Sequence, residues 1–323
     1  MTTPWFAERV PLGRSGVTVT RLGLGTAPLA GLYSAVAEEQ AAATLETAWE
    51  AGIRYFDTAP HYGAGLAERR LNPFLAARPR AEFTVSTKVG RLLVPGEAPA
   101  GGEGFPDEQG VVRVRDYSAE GIYRSLSESL ERSGLDTFEI VLIHDPDHHW
   151  EEAVTGAYPA LERLRAEGAV RAIGAGMNQT AMLTRFVAET DVDCVLVAGR
   201  YSLLDRGAAD DLLPLCERRQ VGVIVGGVFN SGILANPAPG ATYDYAPASD
   251  DVWRRVRALA ERCAAHGVPL AAAALRFPLR HPAVTSVVVG ARSAREVTEN
   301  TAHAATVITD ALWAELDALE AAT

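Results

Sequence analysis

The chain has 323 residues, a formal net charge of −11 and a hydrophobic fraction of 48%. A charge of this sign argues against nucleic acid or an anionic membrane as a partner, because both require a basic protein face. Residues 1–10 include Glu8 and contain no long apolar run, so they do not resemble a signal peptide. No stretch approaches the roughly 18 apolar residues of a membrane span, and we therefore expect a cytoplasmic protein.

The three cysteines also fit a reducing compartment. Cys194, Cys216 and Cys263 are widely separated and odd in number. A zinc site would need paired ligands at short spacing, and a disulfide framework would need an even number of cysteines. We expect reduced thiols and no metal.

Short apolar runs alternate with amphipathic runs along the chain. Residues 10–19 are centred on a Ser-Gly turn and predict an N-terminal β-hairpin. The apolar runs then predict strands at residues 21–25, 55–57, 83–88, 138–144, 172–175, 194–197, 222–225 and 286–289. The amphipathic runs predict helices at residues 38–51, 66–75, 118–133, 157–167, 180–189, 208–219, 251–266, 270–277, 293–302 and 310–319.

Eight short strands that alternate with helices predict an α/β fold, a (β/α)₈ TIM barrel in a single domain over residues 1–323. The competing fold is a doubly wound sheet, which as a dinucleotide binder would carry a Gly-x-Gly-x-x-Gly turn after its first strand. Residues 24–28, Leu-Gly-Thr-Ala-Pro, do not supply that turn. Two long loops, residues 89–117 and 226–249, follow strands and are candidate lids at the C-terminal face.

Four polar residues lie where predicted strands end. Asp57, Lys88 and His144 each terminate an apolar run, and Tyr62 follows Asp57 in the next loop. The C-terminal ends of barrel strands meet at one mouth, where barrel enzymes place their active sites. We therefore expect these four side chains to lie together.

This combination of side chains suits proton transfer to or from a carbonyl or hydroxyl oxygen, and it indicates an oxidoreductase. A phenol has a pKa of about 10, so Tyr62 needs help to exchange a proton near neutral pH. We expect the Lys88 ammonium to lower the pKa of Tyr62, Asp57 to hold Lys88, and His144 to orient the substrate oxygen. The alternative is a structural Asp57–Lys88 ion pair beside a tyrosine that only packs.

The motifs that carry these residues resemble those of the aldo-keto reductase family. Residues 52–63, Gly-Ile-Arg-Tyr-Phe-Asp-Thr-Ala-Pro-His-Tyr-Gly, followed by Ala67 and Glu68, are similar to the family signature. Residues 86–90, Ser-Thr-Lys-Val-Gly, and 140–144, Ile-Val-Leu-Ile-His, resemble its lysine and histidine segments. The resemblance implies a barrel that binds a nicotinamide cofactor without a Rossmann fold and transfers the 4-pro-R hydride. The four polar residues fall on the family's catalytic tetrad.

The same resemblance implies a segment that holds the nicotinamide carboxamide. Residues 174–178 resemble it, and Asn178 matches the family's asparagine, whereas Met177 replaces a serine. Ala198 stands where the family often has glutamine, and Gly226 stands where it often has a tyrosine that stacks on the ring.

A second segment, residues 290–300, resembles the one that binds the adenosine phosphate at a helix N-terminus. Glu296 lies where NADP-dependent members commonly have arginine or glutamine, and a carboxylate there would repel a 2′-phosphate but accept a hydrogen bond from a free 2′-hydroxyl. We therefore expect NAD, with NADP as the alternative. Ser293 and Glu296 also fit a capping box, and Arg292 and Arg295 suit a phosphate. The predicted cofactor-binding residues are Asn178, Gly290, Arg292, Ser293, Glu296 and Asn300.

Three further segments, residues 144–147, 198–205 and 228–232, resemble a branch of the family that contains aldose 1-dehydrogenases of the L-fucose or D-threo-aldose type and pyridoxal 4-dehydrogenases. This resemblance implies NAD(P)-dependent oxidation of an aldose at C1 to the lactone, with Tyr62 as the general base. The oxidation rate should then rise from about pH 7 towards about pH 9 to 10.

Other functions remain open at this point. They are pyridoxal oxidation, NADPH-dependent carbonyl reduction, and a non-catalytic subunit that senses a cofactor. Hydroxyls of a small-molecule substrate would contact Arg91, His148, His149 and Arg200, although each of these is also explained as a solvated loop residue. The sequence leaves the oligomeric state undetermined.

Overall fold

The computed structural model describes residues 3–97, 104–105, 110–244 and 246–321. In chain order the strands are β1 (Arg9–Pro11), β2 (Thr18–Thr20), β3 (Leu22–Gly25), β4 (Tyr55–Asp57), β5 (Thr84–Val89), β6 (Arg91–Pro95), β7 (Val111–Arg115), β8 (Ile140–His144), β9 (Ala172–Met177), β10 (Cys194–Ala198), β11 (Gly222–Gly226), β12 (Thr242–Tyr243), β13 (Ala246–Pro247) and β14 (Val284–Gly290).

Eight of these strands close into a barrel, which confirms the predicted fold. The order around the barrel is β10-β11-β14-β3-β4-β5-β8-β9, and every neighbouring pair is parallel. The strands are short and their residues are almost all buried, as expected for a parallel sheet that faces packed side chains inside and helices outside.

Helices cover the outside of the barrel and lie close to their predicted positions. They are α1 (Glu38–Glu50), α2 (Leu66–Ala76), α3 (Ala119–Ser133), α4 (Trp150–Glu152), α5 (Tyr158–Ala166), α6 (Thr180–Glu189), α7 (Leu212–Arg219), α8 (Asp250–Ala265), α9 (Leu270–Arg276), α10 (Ala294–Ala305) and α11 (Asp310–Ala321). A π-helical segment, Ala153–Ala157, joins α4 to α5, so the predicted helix at 157–167 begins earlier. The predicted helix at 208–219 is divided into a 3₁₀ turn and α7. None of the helices in these ranges is long and apolar enough to cross a membrane.

The N-terminal hairpin packs against the interior of the barrel. Strands β1 and β2 pair antiparallel, as predicted, and Leu12, Val17 and Val19 join a buried cluster of inward-facing strand residues. A Cβ on Gly13 would lie 2.4 Å from the backbone nitrogen of Gly222, at the start of β11, so only glycine allows this approach. The hairpin therefore covers the N-terminal end of the barrel, and the C-terminal end is left for a site.

The two long loops follow β5 and β11, at the C-terminal face. The first contains a hairpin that was not predicted, in which β6 pairs antiparallel with β7. Residues 98–103 and 106–109 of that loop lie outside the described residues, as does Tyr245 in the second loop. The second loop contains the short pair β12–β13. The position of both loops agrees with the expectation, and their action as lids stays a prediction.

Candidate active site

The four predicted chemical residues come from three adjacent strands of the barrel and one loop. Asp57 is the last residue of β4, Lys88 lies near the end of β5, and His144 is the last residue of β8. These strands are neighbours in the order β4-β5-β8, and Tyr62 lies in the loop between β4 and α2. The parallel register brings the three strand ends to the same mouth, as the sequence predicts.

Lys88 is the centre of the site. Its Nζ donates to Asp57 Oδ2 at 2.7 Å, to the Thr58 carbonyl oxygen at 3.1 Å and to the Tyr62 hydroxyl at 2.9 Å. A lysine ammonium has three protons to donate, so these contacts use all of them. The Tyr62 oxygen is then an acceptor towards Lys88, and its own proton must be directed elsewhere.

Asp57 is fixed by a second chain of hydrogen bonds that was not predicted. The Ser86 hydroxyl donates to Asp57 Oδ1 at 2.7 Å, and the Tyr55 hydroxyl lies 2.9 Å from Ser86 Oγ. Ser86 and Lys88 are two residues apart on β5, and Tyr55 and Asp57 are two apart on β4. Because side chains two apart on a strand point to the same face, this spacing is the signal that identifies both supporting residues.

The pKa values of Lys88 and Tyr62 are both raised, but for different physical reasons. Burial alone would lower the pKa of Lys88, but Asp57 and then Tyr62 outweigh it, so the lysine stays charged. Burial raises the pKa of Tyr62 to about 12, although Lys88 acts to lower it. The expectation of a net lowered phenol pKa is therefore wrong, because the desolvation of the ring exceeds the effect of the neighbouring ammonium.

His144 faces Tyr62 across the mouth, with ring centroids 6.1 Å apart. Burial, followed by the charge of Arg91, lowers the pKa of His144 well below the ordinary value of 6.5. The imidazole is therefore neutral at working pH and offers one N–H donor. Tyr117 holds the backbone beside it, because its hydroxyl lies 2.8 Å from the His144 carbonyl oxygen.

A second polar cluster lies at the mouth beside His144. Arg91, on β6, contacts Asp145 Oδ2 through Nη2 at 2.6 Å and His61 Nδ1 through Nη1 at 3.2 Å. Burial, followed by the charge of Arg91, lowers the pKa of His61 to about 2, so this ring is neutral as well. The sequence identified Arg91 but missed His61 and Asp145, although each directly adjoins a predicted tetrad residue.

The other predicted substrate contacts lie outside this cluster. The His149 ring packs against Tyr117 with centroids 5.4 Å apart, and His148 is exposed. Arg200 forms ion pairs with Asp205 and Asp244 at 3.3 and 2.8 Å. These contacts neither require nor exclude a substrate hydroxyl, so the predicted role of these residues stays a prediction.

Two amide side chains, from the loops after β9 and β11, lie near Gly199, which follows β10. A Cβ on Gly199 would lie 3.9 Å from Asn230 Nδ2 and 4.0 Å from Asn178 Nδ2. Asn230 Nδ2 donates to the Gly199 carbonyl oxygen at 3.2 Å, whereas its buried Oδ1 has no hydrogen-bond partner in the described chain. An unsatisfied buried amide oxygen is costly, and a carboxamide N–H is a suitable donor to it. The sequence predicted Asn178 and missed Asn230.

The predicted phosphate segment begins at the end of β14 and enters α10. Ser293 is the N-cap of α10, and its hydroxyl accepts from the Glu296 backbone N–H at 3.2 Å. Glu296 Oε2 accepts from the Arg292 backbone N–H at 2.8 Å. The capping arrangement that the sequence offered as the alternative is therefore present, with Arg292 as the N–H donor. Gly290 precedes this turn, and Asn300 lies on α10.

Comparison with known proteins matches almost the whole chain. The sequence profile of the Aldo/keto reductase family matches residues 21–321. A D-threo-aldose 1-dehydrogenase of Pseudomonas sp is 45% identical over 310 residues, 94% of each chain. A pyridoxal 4-dehydrogenase of Microbacterium luteolum is 40% identical over 331 residues, 96% of each chain. An aldo-keto reductase of Bacillus halodurans in its holo form superposes with a TM-score of 0.76 at 25% identity, covering 97% of this chain and 96% of that one.

Proposed function

The chain belongs to the aldo/keto reductase family and is an oxidoreductase, and from this premise we propose that it oxidises an L-fucose-like aldose at C1 to the lactone with NAD(P)⁺. The observation that carries the proposal is the arrangement of Lys88, Asp57 and Tyr62. All three protons of the lysine ammonium are donated, so the proton of the Tyr62 hydroxyl points away from the lysine. The similarity to a D-threo-aldose 1-dehydrogenase supports the choice of substrate.

In the proposed reaction Tyr62 is the general base. Its phenolate accepts the proton of the anomeric hydroxyl, and the C1–H bond breaks as hydride, so that a C1=O bond forms and the cyclic sugar becomes a lactone. A bound oxidised nicotinamide cofactor would supply the hydride acceptor. Lys88 stabilises the phenolate and Asp57 keeps Lys88 charged and in place, while neutral His144 donates a hydrogen bond to the reacting oxygen.

The residues near the mouth fit a nicotinamide cofactor. Asn178, together with the unsatisfied amide oxygen of Asn230, would hold the carboxamide. Gly290, Arg292 and Ser293, just before the first residue of α10, and Asn300, within it, would receive the adenosine phosphate.

We infer NAD rather than NADP as the cofactor. Glu296 Oε2 already accepts the Arg292 backbone N–H, and its carboxylate stands at the N-terminus of α10. A 2′-phosphate would have to approach this negative charge, whereas a 2′-hydroxyl can donate to it.

The proposal also includes a single-domain chain and four candidate substrate contacts. The pairing of β3 with β14, the first and last strands of the barrel in chain order, supports one domain over residues 1–323. Arg91, His148, His149 and Arg200 stay candidate substrate contacts, and a cytoplasmic location stays a prediction.

Pyridoxal is the second candidate substrate, because a pyridoxal 4-dehydrogenase is 40% identical over 96% of the chain. We expect NADH to form with L-fucose, D-arabinose or L-galactose at a higher kcat/KM than with pyridoxal. The measurement is absorbance of the reduced cofactor over this panel, with NADPH-linked reduction of simple aldehydes as the comparison. Faster aldehyde reduction than oxidation of every sugar and of pyridoxal would replace the proposal with a carbonyl reductase.

Replacing Tyr62 with Phe should lower kcat for aldose oxidation by at least about a hundredfold, because the proton acceptor is lost. Binding of the cofactor, measured by fluorescence titration, should stay close to that of the unaltered protein. Tyr158→Phe is the control, because it removes a phenol that contacts Glu162 on the surface. Retention of more than about a tenth of kcat by Tyr62→Phe would reject Tyr62 as the base.

The raised pKa of Tyr62 predicts the pH dependence of aldose oxidation. Because this pKa is about 12, the reactive phenolate is a minor form whose fraction grows about tenfold per pH unit below the pKa. We expect log kcat/KM for the aldose to rise from about pH 7 through about pH 10 without a plateau. Since His144 is neutral throughout, no break should occur near its ordinary pKa of 6.5. A plateau that begins below about pH 8 would contradict the prediction.

Glu296→Arg should shift the ratio of kcat/KM values towards NADP⁺, because it removes a repulsive carboxylate and adds a partner for phosphate. Glu299→Arg makes the same change of charge one turn further along α10, where Glu299 pairs with Arg295, and should alter the ratio less. If Glu296→Arg lowers the melting temperature and leaves the ratio unchanged, then Glu296 acts only as a helix cap.

A further inference from the structure

Asp145 stands directly after His144 in an unusual backbone conformation. Its φ is +40°, in the left-handed region that non-glycine residues rarely adopt. Its backbone N–H donates to the Gly176 carbonyl oxygen on β9 at 3.1 Å, and its carbonyl oxygen lies 2.8 Å from the Tyr117 hydroxyl. Strained residues persist where their surroundings fix them, and they cluster at functional sites. The fold therefore holds this carboxylate in one place.

The two carboxylate oxygens of Asp145 have different surroundings. Oδ2 receives Arg91 Nη2 at 2.6 Å and lies 3.5 Å from His144 Nε2. Oδ1 makes no hydrogen bond to any residue in the described parts of the chain, and the side chain is 25% exposed. Oδ2 thus has partners in the protein, whereas Oδ1 has none among the described residues.

Arg91, whose guanidinium contacts the Asp145 carboxylate, is itself buried. The arginine side chain is only 10% exposed, and its second terminal nitrogen contacts His61 Nδ1 at 3.2 Å. A guanidinium is planar and only donates, so a contact at each of its two ends fixes its orientation. Arg113 in turn donates to the His61 carbonyl oxygen at 2.7 Å. Because Arg91 is held through His61 at its other end, it fixes the position of Asp145 Oδ2.

The Asp145 carboxylate lies beside the place that the reacting oxygen would occupy. In the proposed function, His144 and Tyr62 both contact that oxygen, and Asp145 adjoins the Nε2 side of His144. A hydroxyl on the next carbon of a sugar lies about one hydrogen-bond length, roughly 3 Å, from the reacting oxygen. A carboxylate can only accept hydrogen bonds, and a hydroxyl can donate one.

We propose that Asp145 is a specificity-determining residue, whose Oδ1 accepts a hydrogen bond from the substrate hydroxyl on the carbon next to the reacting one. Arg91 is its positioning residue. The inference rests on the proposed oxidation of an aldose, and it explains how a site suited to any small alcohol would select a polyhydroxylated one. Without this hydroxyl, the desolvated carboxylate oxygen would lose a partner, so a deoxy substrate is disfavoured.

The test compares the best aldose found for the purified enzyme with its 2-deoxy counterpart. The quantity is the ratio of their kcat/KM values at saturating oxidised cofactor, measured for the unaltered protein, Asp145→Asn and Asp147→Asn. Asparagine tolerates the left-handed conformation, so Asp145→Asn should fold. Asp147→Asn is the matched control, because it removes a carboxylate two residues away on the same loop.

We expect the unaltered enzyme to prefer the parent sugar by about tenfold or more, as for a hydrogen bond to a charged group. Asp145→Asn should lose most of this preference, mainly through a higher KM for the parent sugar, whereas Asp147→Asn should keep it. Arg91→Lys retains the charge but not the two-ended contact, and should lose part of the preference. Cofactor binding by each variant, followed by fluorescence titration, verifies the fold of the site.

Two results would overturn the proposed role of Asp145 and leave the proposed oxidation of an aldose intact. One is an unaltered enzyme that oxidises both sugars equally well. The other is an Asp145→Asn variant whose kcat/KM falls equally for both sugars or keeps the original ratio, because Asp145 would then act on His144 or not at all. An unaltered enzyme that oxidises no aldose would instead overturn the proposed function, and the inference with it.

Discussion

The candidate active site depends on a charged lysine held inside the mouth of the barrel. Lys88 is 2% exposed, and an ammonium at such a depth is costly unless an anion and further hydrogen bonds compensate it. Asp57 supplies the anion at 2.7 Å, and the Thr58 carbonyl and Tyr62 hydroxyl complete the coordination. This requirement fixes the ends of β4 and β5 and the loop after β4 relative to one another.

A second buried charge secures the same region from outside the barrel. Glu68 is fully buried, and it accepts from the Thr87 hydroxyl at 3.0 Å and from Arg132 Nε at 2.6 Å. Because Glu68 lies on α2 and Arg132 on α3, this pair ties the helices that flank β5 to the strand that carries Lys88. Glu68 belongs to the sequence motif that contains Asp57 and Tyr62, yet its contacts are structural. The motif therefore encodes both the chemical groups and the support that positions them.

The sequence predicted the barrel and its four polar residues because both signals are local. Apolar runs define the strands, and a polar residue at the end of a buried strand is conspicuous. The β6–β7 hairpin was missed because its strands are separated by a Gly- and Pro-rich stretch, so their pairing is not visible in either run alone. Asp145 was missed as a separate group for a related reason. Its importance depends on Arg91, which reaches it from 54 residues away in the chain.

The pKa of Tyr62 shows where local reasoning about chemistry also falls short. A neighbouring ammonium lowers the pKa of a phenol, and Lys88 does act in that direction, but burial of the ring raises the pKa to about 12. The balance depends on how completely the mouth excludes water, which no pair of residues reveals. A phenol with such a pKa is protonated at neutral pH and can also donate its proton, so the pKa of Tyr62 alone does not favour oxidation over reduction. In the proposed function, the preference for oxidation comes from the substrate, because a cyclic sugar would yield a lactone whose hydrolysis removes the product.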